Sequence, residues 1–303
     1  VGVTGASGFL GRHLCDHLAA RGHRVVRFAR ARDAAPGEVA WDPVRGTLDR
    51  AALAGLDAVV NFSGAGLADA PWSPERKREL ERSRVASTSL LAHSLAALSG
   101  PRVLVSTSAV GWYGNRGDEW LDESSAPGRG FLAEMAQRWE DAAAPAAAAG
   151  VRVVHPRIGI VMWPNAGALA KLALPFQLFG GGPLGEGRMW WSWVALEDLL
   201  EMLRFALESP GLNGPFNAVS PEPVRQAVLA RALGRALRRP CWLPAPAFAL
   251  RLVLGREKAD ELLLASQRVR PAVLERAGFR WREPVLAPLL QRLYEPPRRG
   301  TAA

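Results

Sequence analysis

Val1-Gly2-Val3-Thr4-Gly5-Ala6-Ser7-Gly8-Phe9-Leu10-Gly11 opens the chain, and the reading of this stretch decides the fold. A short apolar run stops at Gly5. Glycines recur at Gly8 and Gly11, and an amphipathic segment carrying Phe9, Leu10, Leu14 and Leu18 begins at once. The pattern predicts a buried strand, a tight turn and a helix N-terminus. Such a turn sets backbone N–H groups and the positive end of a helix dipole against a pyrophosphate. Gly5 can take dihedrals closed to other residues, Gly8 lets the backbone approach a ligand, and Gly11 lets the helix pack on the strand. The spacing is G-x-x-G-x-x-G, not the commoner G-x-G-x-x-G, and an ordinary strand-to-helix turn is the competing reading of the glycines alone.

Outward from this turn, strands and helices alternate. A helix to about Ala20 is closed by Gly22, and Arg24 to Ala29 reads as a second strand. Val39 to Asp42 is a candidate edge strand, and Leu56 to Phe62 a buried one that ends in Ser63-Gly64-Ala65-Gly66. Ser73 to Leu98 is helical, charged in its first half and apolar in its second. Arg102 to Thr107 is a strand, Phe131 to Ala149 is helical, and Val151 to Val154 leads into His155-Pro156-Arg157-Ile158-Gly159-Ile160-Val161. This rhythm predicts an α/β fold with a doubly wound parallel sheet. We expect a dinucleotide-binding domain over 1–220, with 166–194 an excursion lining the substrate cleft. A smaller substrate-side region over 221–296 and a tail over 297–303 complete the expected division.

Composition narrows the functional classes. The chain has 303 residues, 49% of them hydrophobic, so one large or two moderate domains with a sizeable core are expected. No apolar run reaches the roughly 18 residues that span a bilayer, and no secretory signal precedes the glycine turn, so no membrane partner is expected. Two cysteines, Cys15 and Cys241, suggest neither a disulfide framework nor a metal site, and a reducing, cytoplasmic setting is the expectation. The formal charge of +9 rests almost wholly on scattered arginines, with Lys77, Lys171 and Lys258 the only lysines. No basic block marks a nucleic-acid arm, so the expected partner is a small molecule. The oligomeric state is left open.

The end of the second strand reads on the cofactor. An acid there would accept from a ribose 2′-OH, but this chain has Ala29-Arg30-Ala31-Arg32 and no acid until Asp33. A guanidinium at Arg30 suits a 2′-phosphate, which favours NADP over NAD.

Five further stretches carry a resemblance. They are N-F-S-G-A-G at 61–66, S-T-S-A-V-G-W-Y-G at 106–114, G-G-P-L-G-E-G-R at 181–188, S-W-V-A-L-E-D at 192–198 and F-N-A-V-S-P-E-P-V at 216–224. With T-G-A-S-G-F-L-G at 4–11, they resemble extended and atypical short-chain dehydrogenase/reductases. More narrowly, they resemble epimerase/dehydratase-like proteins with a C-terminal domain of unknown function. The resemblance implies a Rossmann-like NADP(H)-binding domain with a C-terminal region closing over the substrate. It implies that Gly5, Ser7, Gly8, Phe9, Leu10 and Gly11 line the pyrophosphate and Arg30 meets the adenosine phosphate. Phe62, Ser63 and Gly64 would pass beneath the ribose, Glu79 and Arg84 would reach the cofactor, and Ile158 and Ile160 would flank the nicotinamide.

One element of that family's chemistry is missing. A Tyr-x-x-x-Lys pair, whose lysine lowers the phenol pKa, ordinarily exchanges the proton. Here the positions due to carry it read Phe131 and Met135. Ser108 stands where the family's catalytic Ser/Thr is expected, and Tyr113 is the one phenol near that edge, so both are candidate catalytic residues. Asp118 and Glu119 read as solvated loop charges, Glu134 as an exposed helix residue and His155 as structural. Trp190, Trp191 and Trp193, with Arg188, read either as a substrate lid or as a contact between the two regions. The function these features suggest is an NADP(H)-binding oxidoreductase or nucleotide-sugar epimerase/dehydratase-like protein. The alternative is a catalytically silent NADP(H) sensor or scaffold.

Overall fold

A computed structural model describes residues 1–98 and 102–295. The expected tail at 297–303 lies outside the described residues. The N-terminal two thirds alternates strand and helix as the sequence suggests. In chain order it runs β1 (Gly2–Thr4), α1 (Phe9–Ala19), β2 (Val26–Arg30), β3 (Val39–Asp42), β4 (Thr47–Leu48), α2 (Arg50–Ala54), β5 (Ala58–Asn61), α3 (Pro74–Ala96) and β6 (Val103–Ser106). Then follow β7 (Ser108–Ala109), a 3-10 turn over Val110–Tyr113, β8 (Trp120–Leu121), α4 (Phe131–Asp141), α5 (Ala144–Ala148), β9 (Arg152–Ile158), β10 (Ile160–Met162) and α6 (Gly167–Gln177). The remainder is β11 (Trp190–Trp191), β12 (Trp193–Ala195), α7 (Leu196–Glu208), β13 (Gly214–Ala218), β14 (Val224–Arg225), α8 (Gln226–Leu237), α9 (Ala247–Leu254), α10 (Arg256–Leu262), β15 (Arg268–Val269), α11 (Ala272–Arg276) and α12 (Leu286–Tyr294).

The main sheet has the order β13-β9-β6-β5-β1-β2-β3-β4, with β7 also pairing β9. Every pairing in it is parallel except that of β4 with β3, so β4, not β3, forms the edge. The central parallel strands β5 and β6 are buried on both faces, which explains their apolar runs Ala58-Val59-Val60 and Val103-Leu104-Val105. Successive residues serve opposite layers. Val60, Val105 and Val154 pack with α1 and α7, while their neighbours Val59, Leu104 and Val153 pack with α3 and α5. The expected helix over 131–149 is two helices, α4 and α5, with Pro145 in the first turn of the second, where a missing N–H costs no bond.

A second core joins the 162–195 stretch to the C-terminal helices. Leu169, Phe176, Leu229, Leu233, Leu289 and Leu290 from α6, α8 and α12 enclose Trp191 and Trp193. This packing decides between the two readings of the tryptophan cluster. Trp191 and Trp193 are buried and therefore core, and the Trp193 indole donates to the Glu222 carbonyl at 2.8 Å. Trp190 is half-buried, with the guanidinium groups of Arg225 and Arg268 each 4.2 Å from its ring centroid.

The turn at the head of the chain has the geometry its glycines predict. Gly5 has φ +63°, and a Cβ there would stand 3.0 Å from the Phe62 backbone. A Cβ on Gly11 would stand 2.2 Å from the Gly5 carbonyl oxygen, so only glycine lets α1 seat on the turn. Gly11→Ala is therefore expected to destabilise the fold by about 1–3 kcal/mol through overpacking. Urea unfolding measures this as a lowered midpoint with an unchanged slope.

Candidate functional site

The sheet order reverses between β5 and β1, and parallel sheets bind ligands at such a switch point beyond the carboxyl ends of their strands. A hydrogen-bonded lock holds these two ends together. The Thr4 hydroxyl donates to Asn61 Oδ1 at 2.7 Å, and the Asn61 amide donates to Thr88 Oγ1 at 2.9 Å. The Trp139 indole also donates to Thr88, at 3.0 Å, which ties in α3 and α4. Ser63 is fixed from below, its hydroxyl donating to Thr4 Oγ1 and its N–H to Asn61 Oδ1. The sequence reading placed Ser63 at a ligand edge but missed Thr4, Asn61 and Thr88, which carry no signal until the strands are paired.

Above this lock lies a cleft of about 1130 Å³. Gly5, Ser7, Gly8, Arg30, Phe62, Ser63, Gly64 and Glu79 all line it. Gly8 caps α1 without a side-chain hydrogen bond, leaving the start of the helix open to an anion. Phe9 and Leu10 instead direct their side chains into packing. Phe9 stacks edge-on with His13, and Leu10, like Phe9, is half-buried against the core. Gly11 is buried beneath the turn.

At the far end of the cleft Arg30 is 66% exposed and pairs with Asp33 at 2.8 Å. Asp33, Glu38 and Asp42 line the cleft as well. Two of these carboxylates have local duties. Glu38 accepts from the Ala35 N–H, and Asp42 from the N–H groups of Val44 and Arg45. The opposite wall is a stripe of α3 that includes Glu75, Arg78, Glu79, Arg82, Ala86 and Ser89. Their three- and four-residue spacings mark one helix face, a signal present in the sequence that singles out Arg82 beside Glu79.

Arg84 lies on the inner side of the same helix. It is 8% exposed, and its guanidinium sits against Gly64, where a Cβ would stand 3.1 Å from Cζ. It donates to the Leu80 carbonyl at 3.0 Å, while its Nε is buried without a partner. Among the described residues no carboxylate pairs with it. Burial, and then the neighbouring charge of Arg76, push its pKa down to about 10, so it stays protonated at neutral pH. A buried cation without a counter-charge is costly unless a ligand supplies the anion.

Ser108 and Tyr113 are brought together, but into the protein. The Ser108 hydroxyl donates to Glu140 Oε1 at 2.6 Å. Arg157 holds both oxygens of Glu140, at 2.9 and 2.8 Å, and donates to the Tyr113 hydroxyl at 3.1 Å. Tyr113 in turn donates to Asn217 Oδ1 at 2.7 Å. Tyr113 is wholly buried, and burial pushes its hydroxyl up to about 12. A phenol so enclosed is a strut between β9, β13 and the 3-10 turn, not a proton donor at neutral pH. Neither residue lines the cleft, and neither do Ile158 and Ile160, which stand half-buried where β9 passes into β10.

The positions due to carry Tyr and Lys are equally informative. Phe131 opens α4, and the N–H groups of Phe131 and Leu132 donate to the Glu261 carboxylate from α10, at 2.9 and 2.7 Å. Trp72 meets the Phe131 ring edge-on at 5.2 Å, and Lys77 Nζ lies 5.2 Å from its centroid while bonded to Glu257 at 2.9 Å. Met135 is buried. Asp118 pairs with Arg225 and Glu119 with Arg116, as expected of loop charges, and Glu134 is exposed. Among the described residues no group of three or more His, Cys, Asp or Glu side chains could hold a metal.

A switch-point cleft over a glycine turn, in a mostly parallel sheet, defines a Rossmann-like nucleotide-binding protein. The chain belongs to the NAD dependent epimerase/dehydratase family, whose model matches residues 1–218, and a domain of unknown function, DUF1731, matches residues 245–293. An epimerase family protein of Mycobacterium leprae is 42% identical over 93% of this chain and 91% of its own. The crystal structure of the human epimerase family protein SDR39U1 with NADPH superposes with a TM-score of 0.88. It is 30% identical, and the match covers 97% of this chain and 98% of that one. A nucleoside-diphosphate sugar epimerase of Corynebacterium glutamicum superposes with a TM-score of 0.80 at 33% identity, over 96% of this chain and 57% of its own.

Two stability predictions follow from the buried groups. Tyr113→Phe leaves Asn217 Oδ1 and an Arg157 N–H unpaired, so a loss of about 1–3 kcal/mol is expected in thermal or urea unfolding. The His155 ring is buried with Nδ1 facing the Ser106 carbonyl, and burial lowers its pKa from the usual 6.5. The unfolded chain then takes up the proton first, so this group's contribution is constant above about pH 6.5 and falls as pH drops below it. Replacing the ring by glutamine (His155→Gln) is expected to lessen the loss of unfolding free energy between about pH 7.5 and 5.5 relative to the wild type.

Proposed function

We propose that this protein is an NADP(H)-dependent oxidoreductase of the epimerase/dehydratase type, its dinucleotide lying across the carboxyl ends of β1 and β5. The observation that carries the proposal is Arg84, a buried guanidinium without a counter-charge under the Gly64 wall of the cleft. The NADPH bound to the human relative lends the same reading support. The residues present fit a dinucleotide. The uncapped start of α1 and the backbone from Gly5 to Gly11 take the pyrophosphate, with Ser7 at the rim. Phe62, Ser63 and Gly64 form the floor, and Glu79 and Arg84 hold the cofactor from α3. Ile158 and Ile160 lie outside the cleft lining, half-buried at the β9–β10 junction, and flank the nicotinamide only if it reaches past the cleft to that junction. Arg30 receives the 2′-phosphate at the adenosine end, trading its pairing with Asp33 for a doubly charged partner.

When bound, the cofactor supplies a hydride donor or acceptor. The chain's own part is to orient a small-molecule substrate and manage a proton. Tyr113 does not serve there, since its hydroxyl is buried and committed to Asn217. Ser108 shapes the edge of β7 through Glu140 and reaches a substrate oxygen only if that bond is exchanged. Lys77, set over Phe131 and bound to Glu257, is the titratable pair at the place where the family's tyrosine ordinarily stands. Phe131 and Met135 favour a second reading, binding without turnover.

Two measurements test the proposal. Arg30→Ala is expected to weaken NADPH on the order of tenfold and NADH little, as loss of a charge-assisted contact to one phosphate requires. Equal losses would show that Arg30 does not contact the 2′-phosphate. Oxidation of NADPH at saturating cofactor, followed by absorbance against carbonyl compounds and nucleotide sugars, is expected to show turnover that Lys77→Met reduces. Normal affinity with no turnover on any substrate would favour the second reading.

A further inference from the structure

Helix α9, Ala247–Leu254, has the sequence A-F-A-L-R-L-V-L and no buried residue. Phe248, Leu252 and Val253 are 72%, 84% and 80% exposed. Its one polar side chain, Arg251, turns back to Asp260 of α10 at 2.8 Å, so the outward face is wholly apolar. The segment before it extends the patch. Trp242 and Leu243 are exposed, as are Leu174, Leu178 and Phe179 at the end of α6. These two stretches are joined, since the Trp242 indole donates to the Phe179 carbonyl at 3.0 Å and the Trp242 N–H to that of Gly181. An apolar surface of this continuity marks a contact with something other than water.

Charge along the chain that forms α8, the Trp242–Leu243 turn and α9 is all of one sign, with an acid supplied from α10, where Asp260 pairs with Arg251. From Pro223 to Arg256 there is no Asp or Glu, while Arg225, Arg231, Arg235, Arg238, Arg239, Arg251 and Arg256 occur. Arg231, Arg235, Arg238 and Arg239 are exposed, and among the described residues none of the four meets a carboxylate. They lie beside the apolar residues. Arg239 Cζ is 4.4 Å from the Phe179 ring centroid, and the last turns of α8 abut the 239–241 segment at Gly234. A second copy docked through the same face would set arginines against arginines. An anionic lipid surface matches both features, because apolar side chains enter the acyl boundary while arginines meet the headgroups. It also needs no fixed shape, which suits a convex helix better than a groove.

We propose that the face formed by α9, the Trp242–Leu243 turn and the end of α6 seats the protein on an anionic membrane surface. The contact is interfacial, since no helix among the described residues is long and apolar enough to cross a bilayer. It departs from the expectation of no membrane partner drawn from the sequence, which rested on the lack of spanning segments alone. It stands independently of the cofactor reading.

Co-sedimentation of the full chain with vesicles of phosphatidylcholine, with and without phosphatidylglycerol, tests this. Binding is expected only to the vesicles containing phosphatidylglycerol, and it should weaken with salt. The double variants Leu252→Gln/Val253→Gln and Arg231→Gln/Arg235→Gln should each lower the partition coefficient on the order of tenfold. All four positions are exposed, and an unchanged circular dichroism spectrum confirms that the variants fold. No binding to either vesicle, or binding that neither variant weakens, overturns the proposal. A doubled mass in solution that Leu252→Gln/Val253→Gln abolishes, without vesicle binding, assigns the face to a second copy and overturns it as well.

Discussion

The site depends on one buried lock, the bonds from Thr4 to Asn61 and from Asn61 to Thr88. β1 and β5 diverge at their carboxyl ends, because the chain leaves β1 for a helix on one face of the sheet and β5 for a helix on the other. A crevice follows from that topology, but its width and floor do not. The lock sets them by holding both strand ends and α3 to one arrangement, with Trp139 adding α4. Every polar group in it is buried, so each missing bond would cost about 1–3 kcal/mol, and the network tolerates little variation. Ser63 and the glycine turn then take their places on a rigid base, as a preorganised binding site requires.

Two buried arginines on this base have opposite settings. Arg157 is saturated by Glu140 and Tyr113 and stacks on Trp112 at 3.5 Å. It behaves as part of the scaffold, and it fixes Ser108 through a shared carboxylate. Arg84 has no such partner, and its environment pulls its pKa down. Both guanidinium groups bear the cost of leaving water, but Arg84 offsets it only through the Leu80 carbonyl and the Trp139 ring 5.2 Å away, with no carboxylate beside it. The asymmetry is the reason Arg84, and not Arg157, is proposed to meet a ligand beside Gly64.

Much of the fold was legible in the sequence, because buried parallel strands leave long Val-rich runs and helices begin and end at recognisable residues. Ser73 caps α3 as its type predicts, accepting from the Arg76 N–H. The glycine turn was legible because its spacing follows a strand and opens a helix at the head of an α/β chain. The cleft wall on α3 was half legible: Glu79 and Arg84 came from resemblance, while Arg82 follows from helical spacing alone. Ser108 and Tyr113 show where reading stops. A residue type at a strand end says what chemistry is available, but only the folded neighbours reveal that Glu140 and Asn217 already hold those hydroxyls. The same holds for Trp191 and Trp193, aromatic residues whose place in a core depends on helices that are distant in sequence.

The proposal that the adenosine end of the cleft reads a 2′-phosphate rests on Arg30. Titration calorimetry with the two fragments adenosine 2′,5′-bisphosphate and adenosine 5′-monophosphate tests it without the nicotinamide or any substrate. The account predicts that the bisphosphate binds tighter on the order of tenfold, the contribution of one charge-assisted contact to Arg30. Equal affinity, or a preference for the monophosphate, would contradict it.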